Sequence, residues 1–191
     1  MDDPSESEFP EWGRDYLNRL AGRIVHSYDL EKNKHIRGFD FTLYASFEAQ
    51  RHKQLFHPAI SYAEHNLYEY LFVNEYDTVT IETVDQLIDL GHELADDWID
   101  ADDDHYATEF SFGLIVPSIP DDIRQYVSRI DERTMLRYGF DGHYDIHIIV
   151  VAPEEQSIVA TDRAEIQAAF IEWDTQSRST GIFSSLLDQL R

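Results

Sequence analysis

Apolar residues recur at three- and four-residue spacings through Trp12, Tyr16, Leu17, Leu20, Ile24 and Tyr28. That is the stripe of an amphipathic helix, and Pro10 stands where one can begin. After the polar bend EKNKHIRG the period changes to two: Phe39, Phe41, Leu43, Ala45 and Phe47 alternate with Asp40, Thr42, Tyr44 and Ser46. This predicts a half-buried strand. Helical spacing returns at Val84, Leu87, Ile88, Gly91, Leu94, Ala95, Trp98 and Ile99, opposite Asp85, Asp89, His92, Glu93 and Asp96. Thr83 and Gln86 are placed as a capping box for that helix.

NLYEYLFVNEY with DTVTIE supplies one or two further strands, YATEFSFGLIV another, and SIPDDIRQYVSRI a short helix. RTMLRYGF and HYDIHIIVVAP read as a hairpin across Asp141-Gly142, because Asp-Gly supplies the positive φ of a tight turn. Asp162 and Glu165 open a last core helix on which Ile166, Ala169, Phe170 and Trp173 share a face. The expected fold is α+β: a mainly antiparallel sheet of about five strands packed by three to four helices on one face. One domain would span residues 10–173, after a disordered segment 1–9. Residues 174–191 would form a flexible linker and a C-terminal amphipathic helix.

Composition narrows the chemistry. Without Cys there is no thiolate metal site, disulfide or cysteine nucleophile. No G-x-G-x-x-G, phosphate-binding loop or G-x-S-x-G elbow is present. No apolar run reaches the roughly 18 residues that span a bilayer, and the start MDDPSESEF is acidic, so a cytoplasmic location is expected. The net charge is −23, with 38 Asp and Glu against 15 Lys and Arg. An acidic chain with scarce Lys fits concentrated salt, where screening at 1 M acts within roughly 3 Å and repulsion among exposed carboxylates is tolerable. A halophilic protein is the expectation. Residues 14–53 are the exception, with eight Lys or Arg against five Asp or Glu. They form a candidate nucleic-acid or anion contact, or else bases paired within the chain.

His143, Asp145 and His147 alternate along one strand and point to one face. At about 3.3 Å per residue the two histidines lie roughly 13 Å apart. Two imidazoles on one ion reach only about 11 Å between their Cβ atoms, so the three cannot share a metal. A pair could, and His57 in HPAISYAEH is the third ligand of a candidate divalent-metal set with Asp145 and His147. The plainer expectation is that these polar residues are the wet side of a sheet, with no cofactor bound. In the tail, Ile182, Phe183, Leu186, Leu187 and Leu190 form a compact helical stripe suited to docking on a protein partner or a second copy.

YDLEKN (28–33), FHPAISYAEH (56–65), GHELADDWID (91–100) and YGFDGHYDIH (138–147) resemble an uncharacterised family of haloarchaeal proteins, over roughly residues 10–173. The resemblance implies a halophilic setting and no catalytic residues. The leading expectation is therefore a non-enzymatic binding or adaptor protein that docks through its C-terminal helix. The alternatives are a His/carboxylate metal-dependent hydrolase and nucleic-acid contact through residues 14–53.

Overall fold

The longest apolar runs of the chain lie side by side. The computed structural model describes residues 15–52, 64–100 and 105–173. Its elements are α1 (Asp15–Ile24), β1 (Asp29–Ile36), β2 (Phe39–His52), β3 (Glu64–Glu75), α2 (Ile81–Trp98), β4 (His105–Ile115) and α3 (Asp121–Val127). There follow β5 (Glu132–Met135), a 3-10 turn (Leu136–Gly139), β6 (His143–Ala152), β7 (Ser157–Ala160) and α4 (Gln167–Phe170). One seven-stranded sheet runs in the order β1-β2-β3-β4-β6-β5, and β7 also pairs with β6.

The class is α+β as expected, but the sheet is larger than five strands and mixed instead of mainly antiparallel. β1, β2 and β3 pair antiparallel, whereas β3, β4 and β6 run parallel. Parallel neighbours need a crossover, and helices α2 and α3 occur in the two connections. The runs SFGLIV and IIVVA carry this topology, because strands buried on both faces lose the alternation of a sheet with one wet side. β5 and β7 share the outer edge of β6: β5 pairs with residues 143–146 and β7 with 149–152. The connection from β5 to β6 is longer than a two-residue turn, and EKNKHI is the exposed strand β1 instead of a bend.

Helices cover both faces, not one. Val84, Leu87, Leu90 and Leu94 of α2, with Ile123 and Val127 of α3, pack on Phe110, Phe112, Leu114, Ile146, Ile148 and Val150. On the opposite face Tyr16, Leu17, Leu20 and Ile24 of α1, with Phe170 of α4, join Leu71, Val73, Ile115, Ile149 and Val151. Each such side chain contributes roughly 1.5–3 kcal/mol by leaving water. α2 begins at Ile81, earlier than the Thr83 box, because Thr80 is the N-cap and its Oγ1 accepts from Thr83 N at 3.2 Å. α4 is only one turn, tied down by the Tyr16 hydroxyl donating to Phe170 O at 2.7 Å. It can approach because a Cβ on Gly113 would lie 2.6 Å from Phe170 Cζ, so only glycine fits beneath that ring. In β2, Phe41 belongs to the α2 core but Leu43 and Ala45 to the α1 core. The simple alternation fails there, opposite Asn33, whose φ is 51°.

Candidate functional site

Strand register sets a line of charge across the sheet. Glu69 of β3 is opposite Glu109 of β4, Glu109 is opposite Asp145 of β6, and Asp145 is opposite Arg133 of β5. The line falls toward the amino ends of the parallel strands, while α1 and α4 pack on their apolar carboxyl ends. Asp145 is 1% exposed and His147 is 2% exposed. They sit where the outer edge passes from β5 to β7, so groups from both sides converge there.

Arg133 holds Asp145 in a bidentate pair: Nε donates to Oδ1 at 2.8 Å and Nη2 to Oδ2 at 2.8 Å. Arg163, beyond β7, reaches Asp145 Oδ1 at 3.5 Å and also pairs with Asp131. His143 Nε2 lies 3.3 Å from Asp145 Oδ2. Burial opposes the charge on Asp145, but the Arg133 hydrogen bonds and charge outweigh it and hold its pKa below the ordinary value. His147 Nδ1 lies 3.2 Å from Thr161 Oγ1, and its Nε2 is 3.8 Å from Glu109 Oε2. Burial lowers the His147 pKa to about 4. Glu109 is raised to about 7 by burial first, then by the carboxylates of Glu69 and Asp145. The 3.8 Å spacing resembles an ion pair, but the two are both neutral between about pH 4 and 7. Glu109 and His147 therefore make a neutral polar contact in that range.

The expected wet face is thus incorrect for Asp145 and His147. Arg133, Arg163 and Thr161 cover them, and the alternating pattern that hides such residues at a strand edge is identical to that of a solvated face. His57 of the candidate metal set lies outside the described residues, as do the tail residues Ile182, Phe183, Leu186, Leu187 and Leu190. Of the basic segment, Arg19 and Arg23 pair with Glu172, Lys34 with Glu31, and Arg37 with Glu93 and Asp97. Intramolecular pairing takes up those four cations.

A second feature escaped the sequence reading. Next to the buried row, the turn between β5 and β6 turns aromatic rings outward: Tyr138 is 100% exposed and Phe140 86%, beside the exposed Met135. The backbone is held in an unusual form, with φ of 42° at Arg137 and 60° at Tyr138. Leu136 N donates to Gly142 O at 3.0 Å, and Arg137 Nη1 to the buried Asp141 Oδ2 at 2.9 Å. Gly142 is required, since a Cβ there would meet Tyr106 O at 2.1 Å. The signal in the sequence was two aromatics inside a glycine-marked turn, RYGFDG, which no core needs.

Residues 13–172 match the family described as domain of unknown function (DUF8052). The chain belongs to that family. No curated protein and no solved structure matches it. The match covers the whole described sheet and stops just before Trp173, so the buried row and the aromatic turn are parts of the family domain, whereas the tail stripe is not. Among the described residues no helix is long and apolar enough to cross a membrane.

Proposed function

We propose that this chain is a non-enzymatic binding protein that pairs with a second copy of itself. The tail stripe Ile182, Phe183, Leu186, Leu187 and Leu190 of one copy would lie against Met135, Tyr138 and Phe140 of the other. The observation that carries the reading is the pair of fully presented rings, Tyr138 and Phe140, on a turn closed by the Leu136–Gly142 backbone bond and by the Arg137 guanidinium on the buried Asp141 carboxylate. Exposed aromatics on a fixed support suit a contact centre, because little ordering entropy is lost on binding. Charge selects the occupant. The chain carries −23 overall, but the tail 174–191 has two Asp and two Arg, and the turn 135–142 one Arg and one Asp. Two neutral apolar pieces can meet with the least repulsion between acidic copies. The scarce Lys supports the same protein working in concentrated salt.

The metal-hydrolase reading has less behind it. A cation at Asp145 would have to compete with the charge of Arg133, which already holds both carboxylate oxygens. The test is sedimentation velocity of the full chain. The intact protein should sediment as a dimer, and both removal of residues 176–191 and the double substitution Tyr138→Ser, Phe140→Ser should give monomers. Mixing the two altered chains should restore a dimer, since each supplies the surface that the other lacks. A monomeric intact chain would overturn the reading.

A further inference from the structure

At the carboxyl end of α2 a cavity of about 250 Å³ opens between the helix and the amino ends of β3 and β4. Its walls include Tyr68, Tyr70, Trp98, His105, Asp100 and Asn66, and among the described residues no Lys or Arg lines it. We propose that this cavity is a binding site for a methylated ammonium group, a ligand class unrelated to the docking surface proposed above.

Three features of different origin point to that chemistry. The first is ring geometry. Tyr70 and Trp98 meet edge to face, at 4.9 Å between centroids and 70° between planes, and Phe110 stacks on Tyr70 at 5.4 Å, so Trp98 and Tyr70 together give the cavity an aromatic wall backed by the core. Tyr68 and His105 stack at 6.4 Å with only 9° between planes and extend the aromatic lining. An organic cation within about 6 Å of a ring centroid is attracted to the negative face of the ring, most strongly for Trp. The second is the helix. α2 has 18 residues, its carbonyl end is at Trp98, and its last turn holds no basic side chain. That terminus carries a partial negative charge, and Arg37, the cation that reaches it from β1–β2, is already paired with Glu93 and Asp97. The third is the set of oxygens. Asp100 adds a full negative charge at the cavity wall, and Asn66 Oδ1 is buried without a hydrogen-bond partner among the described residues.

Size restricts the ligand further. A drug-sized molecule occupies a pocket of roughly 300–1,000 Å³, so a space of about 250 Å³ suits a compact head group instead. A hydrated metal ion gains little from aromatic walls. An ammonium bearing methyl groups gains from both the rings and the charges, because its charge is spread over an apolar surface.

The experiment titrates the full chain, at constant ionic strength, with choline and with its neutral isostere 3,3-dimethylbutan-1-ol, following the Trp98 indole N–H resonance and the heat of binding. Choline should shift that resonance saturably, and the isostere should bind at least about tenfold more weakly. Trp98 and Asp100 are both exposed enough to change without emptying the core. Trp98→Ala should weaken choline by about tenfold, Trp98→Phe should restore most of that loss, and Asp100→Asn should weaken it several-fold. Equal affinity for the two probes would overturn the proposal, because the cavity would then select shape and not charge. So would a choline shift that never saturates, or a heat of choline binding that survives Trp98→Ala unchanged. None of these outcomes depends on the oligomeric state, so failure here leaves the docking reading intact.

Discussion

Residues 135–140 and 145–147 are close in the chain, yet their side chains are distributed opposite to the usual rule. Met135, Tyr138 and Phe140 face water, whereas Asp145 and His147 are buried. Apolar residues outside are unremarkable singly, but two free rings on one short turn are not. Charged groups inside are costly unless paired, and Arg133 provides that pairing for Asp145. The two regions are mechanically linked, since the turn joins the strand bearing Arg133 to the strand bearing Asp145. The ion pair fastens β5 to β6 across their register, and the turn inherits a fixed base. The buried charges hold the turn in position, and the exposed rings are the surface that the proposed contact would use.

The largest expected effect comes from breaking the buried side. Arg133→Leu leaves Asp145 in a dry site with weaker partners and should lower unfolding stability by about 2–4 kcal/mol in chemical denaturation. Arg133→Leu combined with Asp145→Leu should be less destabilised than the single change, because it removes the stranded charge. A single change with no measurable loss would show that the pair does not fasten the turn.

The next effect is a pair of opposed pH dependences. Glu109 has a folded value of about 7 against an ordinary 4.5. Its proton stabilises the folded state fully below about pH 4.5, and that contribution is lost as pH rises through about 7. His147 has a folded value of about 4 against 6.5, so its contribution is complete above 6.5 and lost as pH falls through about 4. Between about pH 4.5 and 6.5 the two slopes oppose, and stability should vary little. Glu109→Gln should expose the His147 slope, with stability rising with pH across that window, and should make the protein more stable than the parent at pH 8 by about 2–3 kcal/mol. Thermal melts from pH 4 to 8 check this, and identical profiles for the two proteins would remove Glu109 from the account.

The smallest effect sharpens the exposed side. Tyr138→Gly relieves a left-handed conformation that side chains disfavour and should raise stability by about 1 kcal/mol. The same change should weaken self-association in sedimentation. A residue whose removal stabilises the fold and weakens a contact is held there for the contact.

How much of this was legible follows from the kind of signal each feature leaves. α1, β2, α2 and the pairing of β5 with β6 rest on local periodicity and turn chemistry, and those were readable. β1 was hidden because an exposed edge strand has no apolar alternation, and Lys32, Lys34 and His35 resemble a loop. β7 is four residues, too short for a period. Asp145 and His147 were visible as polar residues on one face, but Arg133, Arg163 and Thr161 were not visible as their partners. Nothing local ties residues 133 and 163 to 145. The aromatic wall of Tyr70 and Trp98 was hidden for the same reason, since the two come from different elements.

The sequence alone determined the α+β class, the acidic surface, the absence of thiol chemistry and the impossibility of one metal shared by His143, Asp145 and His147. These depend on composition, period or the fixed rise of a strand. Tertiary structure decided that the sheet is mixed, that helices cover both faces, and that Asp145 is buried against Arg133. Each of these is a matter of which distant segments become neighbours, and a period of two or 3.6 residues records which face a side chain takes without recording what covers it.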